Sequence, residues 1–404
     1  MTNPKLALIP SGYKQSPATV YSILPNNSDG DFTYERNCSA TRVRKDGLIE
    51  ELIYNTPRLD WLNSNCPSLL LEPQRTNLQA YSENFSGLAW TPALVTITAN
   101  SSISPNGELT AYKIESDQTN FAAELSGFLQ ITSNTEYTYS IYVKADTTSI
   151  CRIELTDNFN SSDYYYGRVT FDMSTETLTT ALATASFDKL DGGWYRLKMT
   201  ATSPNPIQGA TRAKIILPEV GSIFIWGAQT EAGGYATSYI KNVDNANGVT
   251  RLKDECLNGG DADLFDITEG TFFVDATNFE GTETHIGLSD GTDANKIAFI
   301  YKVNGYQLRI YVSSDSVVSL DTTQTILDAQ RNKVALTFKE NEFKVFINGA
   351  LVHTDTSGNI PLNFSRLDFA NKTGTGAFFE GKVHDTRVYD RVLTEAEAIQ
   401  LTTI

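Results

Sequence analysis

The sequence predicts an all-β fold, with an N-terminal extended arm and small β anchor followed by two β-sandwich domains. The 404 residues include 19 Tyr and 20 Phe but only 3 Met, and aromatic and β-branched residues favour strands over helices. Short stretches alternate between apolar and polar residues, and turn pairs such as Asn-Gly separate them. A single core rarely exceeds ~250–300 residues, so we expect several domains.

Residues 1–75 are predicted to form the arm and the anchor. Proline fixes φ and lacks an N–H donor, so a helix is not expected where prolines recur at short intervals. They are Pro4, Pro10, Pro17 and Pro25. Residues 31–75 contain a predicted hairpin around Asp46-Gly47. This part is too small and polar for a strong core of its own, so we expect it to complete its burial against neighbouring chains.

Residues 76–250 are predicted to form the first sandwich, a jelly roll. From Tyr137 to Lys144, apolar and polar side chains alternate, which predicts a strand with one buried and one more polar face. Ile223–Trp226 is apolar on both faces, as is typical of a central sandwich strand. Trp194 and Trp226 are interpreted as core residues because their strands are apolar.

Residues 251–404 are predicted to form the second sandwich, after a linker over residues 251–262. Three turn pairs separate strand-like stretches here: Asn304-Gly305, Glu340-Asn341 and Asn348-Gly349. Asn-Gly between alternating stretches is the strongest short-range signal for a hairpin. A short helix is predicted at the end, because Thr394 can cap it and Glu397 follows three residues later, as in a capping box.

Charge and hydropathy argue against two classes of partner. The formal net charge is −16, and an acidic surface repels phosphate backbones, so nucleic-acid binding is not expected. No run of 18 apolar residues occurs, so membrane insertion is not expected. The first residues do not resemble an export signal, and the four cysteines are scattered. We therefore expect assembly in a cytoplasm.

The sequence does not predict an enzyme. Cleavage of a glycan needs two carboxylates held across a cleft, and the ExDxxE string that concanavalin-like hydrolases use is missing. No cofactor is predicted, although a structural calcium ion could bind oxygen ligands in a loop such as Asp290-Gly291-Thr292-Asp293. The same Asp-Gly pair also forms a turn without an ion, so the metal content stays open.

Three stretches resemble known families. The string LLLEPQRTNL over Leu69–Leu78, then YSENF over Tyr81–Phe85, resembles a signature of tailed-bacteriophage virion proteins of the head-spike or head-fibre type. Residues 80–245 are similar to carbohydrate-binding-module jelly rolls. Phe343–Gly349 and Gly381–Leu401 are similar to laminin-G-like, concanavalin-A-like sandwiches. The resemblance implies a virion surface protein, commonly trimeric, that contacts other virion proteins through residues 1–75.

One hairpin is the best candidate for carbohydrate binding, because flat aromatic rings can cover a pyranose while amides and carboxylates read its hydroxyls. The candidates are Asn158, Asn160, Asp163, Tyr164, Tyr165 and Tyr166. Consecutive tyrosines on a strand face opposite sides, so at least one is expected to point outward. The alternative is that these rings pack in a core or between subunits.

The predicted function is decoration of a phage particle, with adhesion to glycans of the host surface. Two alternatives remain open from the residues. One is a tail receptor-binding fibre, which could carry glycan depolymerase activity. The other is a purely structural capsid protein without a ligand. Head or tail placement cannot be read from the residues.

Overall fold

Strands make up 55% of the computed structural model and helix 3%, which confirms the predicted all-β class. The structure describes residues 3–15, 18–22, 30–118, 123–159, 162–279, 283–302, 307–327, 330–371, 374 and 376–404. The predicted turn at Asn304-Gly305 lies outside these residues. Within the described ranges, no helix combines the length and the hydropathy needed to cross a membrane.

The N-terminal region contributes eight strands within the described residues, and most of them join sheets formed with distant parts of the chain. They are β1 (Leu6–Gln15), β2 (Ala18–Ser22), β3 (Phe32–Glu35), β4 (Ala40–Val43), β5 (Ile49–Leu52), β6 (Arg58–Asp60), β7 (Ser68–Leu71) and β8 (Arg75–Asn77). The β4–β5 hairpin confirms the turn predicted at Asp46-Gly47, where Gly47 has a φ of 76°.

Two six-stranded antiparallel sheets form the first sandwich. Their strands are β9 (Trp90–Ala93), β10 (Thr96–Ser102), β11 (Ala111–Ser116), β12 (Ala123–Leu129), β13 (Glu136–Ala145), β14 (Ile150–Phe159), β15 (Ser162–Asp172), β16 (Thr177–Ala181), β17 (Thr184–Lys189), β18 (Tyr195–Thr202), β19 (Ala210–Leu217) and β20 (Gly221–Ala232). One sheet has the order β10-β11-β20-β13-β18-β17 and the other β16-β15-β14-β19-β12-β9. A continuous apolar core lies between them.

After the first sandwich, β21 (Val249–Arg251) forms a separate two-stranded sheet with β8. The strands of the second sandwich follow: β22 (Glu255–Leu257), β23 (Gly270–Asn278), β24 (Thr284–Ser289), β25 (Lys296–Lys302), β26 (Gln307–Ser314), β27 (Val317–Thr325), β28 (Arg331–Lys339), β29 (Glu342–Ile347), β30 (Ala350–Asp355), β31 (Arg366–Asp368) and β32 (Gly381–Tyr389). Helix α1 is Glu395–Thr402. A five-stranded sheet, β27-β26-β25-β24-β31, packs on a larger sheet that contains β32-β23-β28-β29-β30.

Local turn and cap predictions for this sandwich are confirmed. Asn341 turns β28 into β29 with a φ of 57°, and Asn348-Gly349 turns β29 into β30 with φ values of 50° and 84°. Two consecutive positive φ values are what a two-residue hairpin with the strand twist requires. Thr394 and Glu397 form both bonds of the capping box at the start of α1.

The N-terminal arm is a strand of the second sandwich. In β1, Leu6 pairs with Val388 and Ala7 with Arg387 of β32, while β7 pairs with the opposite end of the same strand. Leu6 and Leu8 lie in the apolar core of that sandwich. This region does not depend on neighbouring chains for all of its burial, because part of it is buried against its own C-terminal half. Contact with neighbouring chains stays a prediction. The domain boundaries at 75/76 and 250/251 remain predictions.

Strand β13 differs from its predicted pattern, because both of its faces are buried from Tyr137 to Val143. Its polar face is covered by the segment after β20: the Thr138 hydroxyl donates to the carbonyl oxygen of Gly233 at 2.8 Å, and the Tyr142 ring packs on Tyr239. Trp194 and Trp226 are buried in the same layer, which confirms them as core residues. The alternation of apolar and polar residues thus predicts correctly which face of β13 is polar, but it does not predict that this face is buried.

Residues 251–262 are not an exposed linker, because Arg251 and Asp254 lie inside a buried ionic network. We call it the arginine cluster, and its members are Tyr34, Arg36, Arg58, Glu72, Arg251 and Asp254. Arg36 pairs with Asp254 at 3.1 Å, and Arg58 pairs with Glu72 at 2.6 Å and also with Asp254. Burial alone would raise the pKa of Asp254, but the guanidinium groups of Arg58 and Arg36 outweigh it and lower that pKa.

The phage-like signature has a structural role in this chain. Leu69 and Leu71 enter the core of the second sandwich, and Glu72 belongs to the arginine cluster. The Asn77 side chain is fully buried; its amide donates to the carbonyl oxygen of Ile240 at 2.8 Å and its oxygen accepts from the Thr230 N–H at 3.1 Å. The signature therefore joins the two sandwiches, since its side chains contact both.

Candidate functional site: an aromatic and basic sheet face

The predicted hairpin exists, and it separates the three tyrosines. Strands β14 and β15 pair antiparallel, with Asp157 opposite Tyr164. Tyr164 is 61% exposed near the tip, Tyr165 is half-buried, and Tyr166 lies in the core of the first sandwich. This confirms that the tyrosines alternate and that at least one points outward. Asn160 and the side chains of Asn158 and Asp163 lie outside the described part of the chain, so their roles stay predictions.

A β-bulge sets the orientation of these rings. Leu155 pairs with Gly167 while Thr156 pairs with Tyr165, so Tyr166 is an extra residue on β15. A bulge places two residues opposite one and re-aims the side chains beside it. Tyr165 consequently shares the outer face of the sheet with Arg168, whose guanidinium carbon lies 3.5 Å from the centre of the Tyr165 ring.

The register of four strands brings Tyr165 into a row across this outer face. Tyr165 lies opposite Thr156, Thr156 opposite Arg212, and Arg212 opposite Phe128. Neighbouring strands are ~4.8 Å apart, so the two aromatic residues at the ends of the row are about 14 Å apart. We call this set the aromatic row. It places one ring at each end and hydrogen-bonding groups between them.

Phe128 is the site residue that reasoning from sequence missed. It is 47% exposed, an unusual position for a large apolar ring in a strand. A signal was present: along β12, Leu125 and Leu129 face the core, while Glu124, Ser126 and Phe128 share the opposite phase. An aromatic residue in the polar phase of an alternating strand indicates an exposed ring.

A second line of charged side chains lies beside the aromatic row on the same face. Arg168 pairs with Glu154 at 2.6 Å, and Lys214 pairs with Glu124 at 2.8 Å. Burial, with the neighbouring Arg168 guanidinium, lowers the pKa of Arg152. Glu154 and Lys214 are almost fully buried although they lie on an outer face, so their neighbours hold them in fixed positions.

This arrangement offers the kinds of group that contact a sugar, and its carboxylates are paired with basic side chains. An exposed ring can cover the apolar side of a pyranose, and guanidinium and hydroxyl groups can bond its hydroxyl groups. The carboxylates of Glu124 and Glu154 are engaged by Lys214 and Arg168.

Two loop motifs of the second sandwich also have a structural explanation. The Asp290 carboxylate accepts bonds from the N–H and hydroxyl of Thr292 and from Asn295, which stabilises the turn without an ion.

Gly287–Gly291 fits the spacing GxSxG, but Ser289 is buried at the end of β24, and a turn and another strand follow it rather than the helix of a nucleophile elbow. Across the described ranges, no group of three His, Cys, Asp or Glu side chains could hold a metal ion.

Comparison with known families supports the fold of the second sandwich. Residues 266–399 match the family described as the Concanavalin A-like lectin/glucanases superfamily. The match confirms the predicted concanavalin-A-like fold for this part of the chain. No curated protein matches the chain.

Several solved β-sandwich structures are similar over about a third of the chain. The CBM40 of the Ruminococcus gnavus IT-sialidase, bound to α2,3-sialyllactose, is 20% identical, with 35% of this chain and 86% of that one covered and a TM-score of 0.31. Domain 4 of AbnA, a GH43 arabinanase from Geobacillus stearothermophilus in complex with arabinotriose, is 16% identical, with 42% and 82% covered and a TM-score of 0.32. At these scores the likeness carries no argument about ligands.

Proposed function

We propose that this protein is a non-enzymatic surface component of a tailed-phage virion that binds host glycans through the outer face of its first sandwich. The aromatic row is the observation that carries the glycan-binding part. The phage part rests on the resemblance of the Leu69–Leu78 and Tyr81–Phe85 strings, of which Leu69–Leu78 contacts both sandwiches.

The row suits a glycan because it has a ring at each end and a polar side chain with hydrogen-bond donors between them. Tyr165 and Phe128 offer apolar surface at the two ends, and Arg212 lies between them with donors for hydroxyl oxygens. Thr156, the other residue between the rings, is fully buried, so we assign the polar contact to Arg212. Because β14 and β19 hold these positions by backbone pairing, little order is lost when a ligand binds.

The virion part of the proposal includes a trimer and contact with other virion proteins. Most of residues 1–75 packs against other parts of the same chain, so we assign the contact with other virion proteins to the exposed turn after β5. Ile53 and Tyr54 are 54% and 63% exposed there, beside the arginine cluster. This turn is held rigidly, because the Arg36 guanidinium bonds the carbonyl oxygen of Ile53 at 3.0 Å.

Substitution of the aromatic row tests glycan binding. On a glycan array of bacterial surface polysaccharides, Tyr165→Ala and Phe128→Ala are each expected to weaken binding about tenfold or more, as for a central aromatic contact. Leu362→Ala is a matched control, since Leu362 is 44% exposed but lies in the second sandwich. Tyr164 lies at the hairpin tip, outside the aromatic row, so Tyr164→Ala should have a small effect on glycan binding.

Two results would count against the proposal. If wild type and both row variants bind the array equally, the outer face is not the binding site. If the bound polymer releases reducing ends during incubation, the protein is a depolymerase instead of an adhesin.

Light scattering on the full chain tests the proposed assembly. We expect the mass of three chains. A mass of one chain, unchanged over a wide range of protein concentration, would remove the trimer from the proposal. Ile53→Lys with Tyr54→Lys is expected to leave that mass unchanged, because this turn is assigned to contact with other virion proteins.

A further inference from the structure

An open groove begins at Phe128 and continues away from the aromatic row. Its volume is about 900 Å³, at the upper end of the ~300–1,000 Å³ that ligand clefts usually have. One wall comes from the ends of β12 and β19. The other comes from Gln74, Arg75 and Thr76 of the phage-like signature and from Asn247, all outside the first sandwich's own sheets.

The three side-chain amides of this groove can bind a ligand. Gln74, Gln130 and Asn247 are exposed, and no other described residue bonds their side-chain amides. An amide offers two donors and an acceptor, which suits hydroxyl groups that both donate and accept. Arg75 is the one charged side chain among the described residues that line the groove. A lining without carboxylates, in a protein of net charge −16, avoids repelling acidic sugars.

We propose that the aromatic row and this groove form one continuous site, which binds an internal stretch of an extended polysaccharide rather than a terminal sugar. The inference rests on the proposed function and adds the ligand class. Phe128 belongs to both parts, so a chain that crosses the row reaches the amides without leaving the surface. The groove is open, so the polymer can continue beyond it.

The test compares oligosaccharides of increasing length. Xylan, arabinan, dextran and bacterial O-polysaccharide are screened first, and the polymer that binds is partly hydrolysed into a size ladder for calorimetry. We expect affinity to keep rising once the oligosaccharide is longer than the row. The triple variant Gln74→Ala, Gln130→Ala, Asn247→Ala is expected to lose that gain, about tenfold or more for several neutral hydrogen bonds, while short oligosaccharides bind as before.

Gln400→Ala, which removes an exposed amide from α1, serves as the matched control and should bind the whole ladder like wild type. The inference is overturned if the affinity of wild type stops rising at the length of the row, or if the triple variant follows wild type along the ladder; the proposed function survives both results. If wild type binds none of the polymers while folded, the proposed function fails as well.

Discussion

Replacing Asp254 with asparagine is expected to lower the free energy of unfolding by about 3–5 kcal/mol, the cost of breaking a buried ion pair from one side. The side chain of Asp254 is fully buried and contacts both Arg36 and Arg58. Without its charge, Glu72 is the carboxylate left in the cluster, and it pairs with Arg58 and Arg251 but not with Arg36. Urea denaturation at neutral pH measures the change.

The control for this variant is Asp321→Asn, which breaks a two-bond pair with Arg309 on an exposed sheet face. Exposed pairs contribute about 0–1 kcal/mol, so a small change is expected. The pKa of Asp254 is lowered in the folded state. Its contribution to the free energy of unfolding is therefore fully present above the ordinary carboxylate pKa, and it is lost as pH falls from there through the lowered folded-state pKa. The difference between wild type and Asp254→Asn should therefore shrink below about pH 4. Equal losses for the two variants would contradict a structural role for the cluster.

Deletion of residues 1–8 is expected to destabilise the second sandwich by more than about 4 kcal/mol, because two buried leucines and an edge pairing are lost together. Leu6 and Leu8 lie in its core, and Leu6 pairs with Val388. Hydrogen exchange would show reduced protection along β32, which the first sandwich should not share to the same extent.

Deletion of residues 1–4 is the control. It leaves Leu6 in place, together with the Lys5 N–H that donates to the carbonyl oxygen of Val388 at 2.7 Å. Its effect on β32 should be small. Unchanged protection of β32 after deletion of residues 1–8 would show that the arm adds little to the sandwich.

Features set by neighbouring residues could be predicted from the sequence. The turns at Asn341 and Asn348-Gly349 and the cap at Thr394 depend on backbone geometry within a few residues. The identity of a strand's pairing partner does not depend on such local geometry. The residues around Leu6 do not indicate that it pairs with Val388, and the polar residues of β13 do not indicate that another segment covers their face.

The candidate site shows the same division. Alternation predicts that one of three consecutive tyrosines points outward, and Tyr165 does so. The aromatic row joins residues of β12, β14, β15 and β19, and only the register of the sheet brings Phe128 and Tyr165 onto one line. A bulge at Tyr166 changes that register locally, and a single sequence gives no signal for it.

The pairing of Leu6 with Val388 has a consequence for how the protein is made. Synthesis proceeds from the N-terminus, so β1 leaves the ribosome long before its partner strand exists. Until then the edge of β1 that faces β32 remains unpaired, as on an open sheet edge, while its other edge can pair with β2. A chain that terminates before β32, which spans Gly381–Tyr389, cannot close this sheet. The pairing of β1 with β32 therefore forms only in chains that extend through Tyr389.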